Sequence, residues 1–214
     1  MADVTWPVEL RRGPITLRPL RARDAAEWNV VRARNLSWLR PWDATAPPGG
    51  RGGPRSFRGM AKEMDRQARQ GRMLPFVVTY SEAGGRAKAP IVGQLTVSGI
   101  TYGSASWASM GYWIDQAYAG RGIIPTAVAM AADHCWFTLG LHRIEVAIRP
   151  QNKASLRVVE KLGFRYEGRR PRFLHIDGDW RDHDVFALNA EEVPGGLLER
   201  LEHTRRHHHG TGLA

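Results

Sequence analysis

The 214-residue sequence has one cysteine, no uninterrupted apolar run of 18 residues, and only 21 acidic side chains against 31 lysines and arginines. Each shortage excludes something. A lone Cys135, beside Trp136 and Phe137 in an apolar stretch, cannot form an internal disulfide and reads as a core thiol. Without a long apolar run there is no candidate membrane helix, and the opening MADVTWPVELRRGP lacks the basic-then-apolar layout of a secretory signal, so a cytoplasmic protein with no membrane partner is expected. There is no Walker A pattern and no internal repeat, which argues against P-loop nucleotide chemistry and solenoid folds. The deficit of acid leaves a net charge of +10 and a pI near 10.6. That balance favours an anionic partner such as nucleic acid, a ribosome surface or a phosphate-bearing cofactor, although an arginine-rich proteome would produce it too.

What is present reads as one α/β domain over residues 1–190 followed by a tail, 191–214, of helix fragment and disordered end carrying His207, His208 and His209. The patterning predicts the order β-α-α-β-β-β-α-β-α-β-β, with strands over 15–20, 74–80, 91–100, 107–114, 143–148, 164–176 and 180–188. The strands at 74–114 form an antiparallel meander. The strand at 143–148 follows a helical crossover and should lie parallel to the one ending at Ile114. Asp24 and Glu27 make a capping-box pattern, Ser56 an N-cap, Gly71 and Gly163 left-handed helix ends, and Asp177-Gly178 a hairpin turn. Residues 43–55, with three prolines and four glycines in thirteen positions, read as a mobile basic loop.

Chemistry concentrates at Gly120-Arg121-Gly122-Ile123-Ile124-Pro125, where a strand gives way through a glycine turn to an Ala-, Val- and Met-rich helix. The first amides of a helix lack intrahelical acceptors and carry the positive end of the macrodipole, and glycines admit a bulky phosphate to the backbone. Pro125 fits a first helical turn. A dinucleotide fingerprint fails here, because Pro125 stands at the third glycine position, five residues separate the strand from the glycines, and antiparallel strands come first. A purely structural turn remains the alternative. His175, Asp177, Asp179, Asp182, His183 and Asp184 lack calcium-loop spacing, so no metal site is expected there.

Gly111-Tyr112-Trp113-Ile114-Asp115, the x-x-G-x-G turn of 118–122, Asn152-x-x-Ser155 and Leu162-Gly163-Phe164 together resemble the GNAT acetyltransferases. Leu17-Arg18-Pro19-Leu20, the segment Trp38 to Trp42, and Ile176 to His183 resemble its RimJ/RimL group, the ribosomal-protein-alanine N-acetyltransferases; the resemblance spans residues 14–188. It implies a mixed sheet of about seven strands with an antiparallel N-terminal part, a central parallel pair that splays apart, and flanking helices. It also implies acetyl-CoA as co-substrate: backbone amides of Gly120, Gly122, Ile123, Ile124 and Thr126 around the pyrophosphate with Pro125 in the same turn, Arg121 pairing with a phosphate, and Trp113, Ile114, Asn152 and Ser155 along the pantetheine arm. The Ile114 N–H becomes the donor to the thioester oxygen, and Ser155 either the acid for the departing thiolate or a helix N-cap.

A general base has no clear match, since Leu174 and Ser109 occupy positions where relatives carry carboxylates; Glu145 and His175 remain as strand candidates. A protein α-amine, with a reference pKa of about 8 against about 10.4 for lysine, needs little help to deprotonate. The expected function is therefore acetylation of a protein N-terminus, a ribosomal protein among the acceptors. Trp38 and Trp42 would border the acceptor groove, nucleic-acid contact would be secondary, and the enzyme would be a monomer or homodimer. Two alternatives stand beside it: a small-molecule amine acetyltransferase, and a ribosome- or RNA-associated CoA-binding factor without turnover.

Overall fold

A computed structural model describes residues 6–50, 54, 56–82 and 89–210, main chain only beyond 204. Eight strands form one sheet: β1 (Leu10–Arg12), β2 (Ile15–Pro19), β3 (Met73–Tyr80), β4 (Ile91–Thr101), β5 (Trp107–Ile114), β6 (Arg143–Ile148), β7 (Arg165–Ile176) and β8 (Asp179–Asn189). Their order is β1-β2-β3-β4-β5-β6-β8-β7, antiparallel throughout except for the parallel β5–β6 pair. The strand beyond the expected seven is β1, a three-residue hairpin partner of β2 too short to leave an alternation in the sequence.

Six helices flank the sheet: α1 (Ala25–Arg34), α2 (Leu36–Leu39), α3 (Phe57–Arg69), α4 (Ile123–Asp133), α5 (Lys153–Leu162) and α6 (Leu197–Gly210). In α4 nine residues are buried, among them Ile123, Val128 and Met130, as an all-round apolar helix requires. It packs on the sheet face formed by Leu17, Phe76, Leu95 and Met110. The opposite face carries a smaller core of Leu20, Ala61, Val77 and Ile91, closed by Trp28, Phe57, Met60 and Met64 from α1 and α3. β3 is consequently buried on both sides. Beyond Asp133 the α4 helix passes into a π-helical turn, His134–Thr138, that encloses Cys135 completely.

Local signals perform as expected at several caps. Ser56 Oγ accepts the Gly59 N–H at 3.1 Å, and Gly163 adopts φ +74° with Phe164 N–H returning to Val159. The capping box expected between Asp24 and Glu27 does not form. The Asp24 carboxylate instead accepts two bonds from Arg18 (2.8 and 3.0 Å) and the Arg21 N–H, closing a capping box with Arg21 one turn earlier, while Glu27 takes the Ile91 N–H at 2.6 Å. The segment after 190 is no detached tail through residue 210: Leu197 and Leu201, four apart on α6, lie fully buried in the main core, and Asp133 accepts the N–H groups of Leu197 and Leu198. The triple histidine falls where side chains are outside the described set, as do residues 51–53 and 55 of the proline-glycine loop.

Candidate active site

The site follows from how β5 and β6 part. Their register runs only from Trp107–Arg143 to Ser109–Glu145, yet both strands continue, β5 to Ile114 and β6 to Ile148. On the other side of β5, the Asp115 N–H donates to Val92 O at 2.8 Å across the Gly93–Ile114 pair. That bond makes Gly93–Ile114 a non-hydrogen-bonded pair of the antiparallel ladder, so the main-chain groups of Ile114, and by alternation those of Tyr112, point away from β4 into the gap. A Cβ on Gly93 would collide with the Trp113 carbonyl oxygen, so glycine there sets how closely β4 supports the strand end.

The gap opens into a cavity of about 760 Å³. One wall is the turn before α4. Gly120 and Gly122 take φ +78° and +74°, conformations glycine adopts without strain, and Gly122 is the N-cap of α4. No protein atom lies within 4 Å of where a Cβ on Gly120 would sit, leaving that space for a ligand. Gly120, Gly122, Ile123, Ile124 and Pro125 line the cavity. The turn is held by Asp115, 2% exposed, which accepts Asn35 Nδ2 (2.9 Å) and the Ala117 N–H (3.2 Å) and pairs with Arg34. Asn35 Oδ1 in return accepts the Gln116 N–H at 2.9 Å. Burial pushes the Asp115 carboxyl up, but Asn35, Arg34 and Ala117 outweigh it and hold its pKa below the ordinary value.

A second wall is the start of α5. Asn152, not Ser155, is the N-cap: its Oδ1 accepts the Ser155 N–H at 3.1 Å. The Asn152 amide NH2 and the Ser155 hydroxyl are therefore not spent on capping, and both residues line the cavity. Beside them is a group the sequence reading passed over, Tyr112. Its hydroxyl is buried without a partner at hydrogen-bonding geometry; burial raises its pKa strongly, and the neighbouring Ser155 hydroxyl pulls it the other way.

Trp38, Leu39, Trp42 and Asp43 also line the cavity. Trp38 Nε1 donates to Ile114 O at 3.2 Å. Arg32 pairs with Asp43 at 2.5 Å and stacks between Trp28 and Trp113, and Arg149 lies 5.5 Å from the Trp42 ring centroid while donating to Pro41 O. Residues 43–45 are tied to the β7–β8 hairpin through an Ala44–Ile176 bridge and Thr45 Oγ1···His175 Nδ1 at 2.8 Å. The first part of the expected loop is thus anchored.

The cavity gathers Trp38, Trp42, Trp113, Ile114, Gly120, Gly122, Ile123, Ile124, Pro125, Asn152 and Ser155, and leaves out four residues singled out from the sequence. Arg121 turns outward, stacking 5.1 Å from the Tyr118 ring, donating to Ala117 O and facing Glu82. Thr126 is 2% exposed and bonds back to Gly122 O at 2.8 Å. Glu145 sits between Arg143 (2.9 Å) and Arg170 (3.4 Å), an ion-paired carboxylate outside the cavity. His175 is engaged by Thr45. Asp43 is the one carboxylate among the described lining residues, and no histidine is among them. No cluster able to hold a metal ion occurs among the described residues. A thioester cofactor with an extended arm and a pyrophosphate fits these features, through the free strand edge, the left-handed glycine turn and the volume of the cavity.

The family model described as an acetyltransferase (GNAT) domain matches residues 15–165. The chain is 29% identical over 191 residues, 88% of it and 94% of the relative, to the [ribosomal protein uS5]-alanine N-acetyltransferase of Escherichia coli. It is 39% identical over 98 residues to the probable N-acetyltransferase YjcK of Bacillus subtilis, a match covering 46% of the chain and about half (54%) of that relative. Among solved structures, Mycobacterium smegmatis RimJ in complex with CoA-disulfide superposes with a TM-score of 0.83 at 37% identity, covering 94% of this chain and 96% of that one.

Proposed function

This chain belongs to the GNAT acetyltransferase family, and we propose that it transfers the acetyl group of acetyl-CoA to the N-terminal α-amine of a protein, in particular an alanine-initiated ribosomal protein in the cytoplasm. The observation that carries this reading is the gap between β5 and β6, whose cavity is lined both by the Gly120–Gly122 turn and by Trp38 and Trp42. Acetyl-CoA supplies an acetyl group activated as a thioester. The Ile114 N–H, directed into the gap, donates to the oxygen that gains charge when the amine attacks. Ser155 gives its hydroxyl proton to the thiolate as the C–S bond breaks and the C–N bond forms, and its oxygen is reprotonated from solvent, with the buried Tyr112 hydroxyl as its neighbour. The proton lost by the amine passes to solvent. With Glu145 and His175 engaged elsewhere, the chain relies on an acceptor that is partly neutral near pH 7, which an α-amine is and a lysine is not.

The name of the E. coli relative supports alanine and a ribosomal protein as the acceptor. A polycation such as spermidine suits the site poorly, because the described lining holds one carboxylate, Asp43, against three cations, Lys153, Arg157 and Lys161. The test is turnover of acetyl-CoA with an Ala-initiated ribosomal-protein peptide and with spermidine in parallel. The peptide should be the better acceptor by kcat/KM, and preference for spermidine would reverse the assignment.

A further inference from the structure

Arg121, the cation nearest the glycine turn in sequence, is turned outward onto Tyr118 and Glu82. The cations that do line the cavity are Lys153, Arg157 and Lys161. Spaced four residues apart on α5, they form one ridge about 12 Å long, on the face opposite the buried Val159 and Leu162. All three are exposed, and none takes part in an ion pair found among the described residues. A solvated charged face is the ordinary fate of such residues. This ridge differs in lining the same cavity as a helix-start turn suited to a pyrophosphate.

CoA carries one more phosphate, the monoester on the adenosine 3′ oxygen, with a charge near −2 at neutral pH. The turn offers dipoles and no inward cation for it. We propose that Arg157 and Lys161, the members of the ridge on the C-terminal side of Ser155, form the subsite for this 3′-phosphate, with Lys153 in the first turn of α5 adding to the field. Arg157 supplies a planar fork suited to a phosphate and Lys161 a compact charge. The chain would then select CoA over its 3′-dephospho form, through residues with no local sequence motif. This rests on CoA being the co-substrate.

The experiment is calorimetric titration of the full-length protein and of an Arg157→Gln/Lys161→Gln variant with CoA and with dephospho-CoA. Both positions are exposed, so the variant should fold, which its circular dichroism and melting temperature check. Expected are a roughly tenfold or greater preference of the wild type for CoA, a similar loss of CoA affinity in the variant, and dephospho-CoA affinity equal in the two proteins. Equal wild-type affinity for the two ligands would overturn the subsite, as would a variant that weakens both ligands alike, since the ridge would then serve the pyrophosphate. Failure of the wild type to bind either ligand would instead contradict CoA as co-substrate.

Discussion

The indole N–H of Trp38 donates to the carbonyl oxygen of Ile114 at 3.2 Å, joining residues 76 apart in the chain. The bond occupies one of the two main-chain groups that Ile114 directs into the gap and leaves the other, the Ile114 N–H, as the donor. It also fixes α2, and with it that wall of the cavity, relative to the position where the reacting carbonyl would sit. Trp38→Phe keeps the ring and removes the donor. We predict a roughly tenfold fall in kcat/KM for the peptide acceptor with CoA affinity changed less than about twofold, measured by steady-state kinetics and calorimetry. An unaltered kcat/KM would mean that the bond does not position the site.

The Asp115 network should appear in stability. Removing the carboxylate with Asp115→Ala strands the Asn35 amide and the Ala117 N–H and should cost about 2 kcal/mol in urea unfolding. Because the folded-state pKa of Asp115 lies below its unfolded value, its contribution is complete above the unfolded pKa of about 3.9 and is lost as pH falls through the folded value. The difference in stability between wild type and variant should therefore shrink below about pH 4. A difference that stays constant across that range would contradict the ionised assignment.

Gly120 separates conformation from ligand space. Gly120→Val forces a β-branched residue to φ +78°, at a cost of about 1–2 kcal/mol, and places its side chain where no protein atom intervenes. A modest drop in melting temperature with at least a tenfold loss of CoA affinity is expected. Undiminished affinity would remove the turn from the phosphate site.

The pH–rate profile should report the acceptor. Among the described lining residues there is no histidine and the one carboxylate is ion-paired with Arg32, so kcat/KM should rise about tenfold per pH unit below the α-amine pKa of about 8 and level off above it. An additional inflection near 6.5, persisting across acceptor peptides, would point to a histidine base.

Much of this architecture was legible because it is written in short-range patterns. The alternation of Ile144, Val146 and Ile148, the caps at Ser56 and Gly163, and the glycine turn at 120–122 each require a residue type at a fixed local offset. The parallel β5–β6 pair followed from the crossover helix between them. What escaped depends on partners distant in sequence. Glu27 meets the Ile91 N–H across 64 residues, Asn35 meets Asp115 across 80, and α6 owes its place to Asp133 and the core rather than to its own composition. The outward turn of Arg121 and the inward face of the α5 cations are likewise settled by packing: Tyr118 offers a ring to one, and the buried Val159 and Leu162 orient the others.

The most direct measurement uses two peptides of one alanine-initiated, lysine-containing sequence, the first with a free N-terminus and the second with that amine blocked, each incubated with enzyme and acetyl-CoA and read by tandem mass spectrometry. The account predicts one added acetyl group on the first peptide, located on the α-amine, and none on the second. Equal acetylation of both, on lysine, would contradict it.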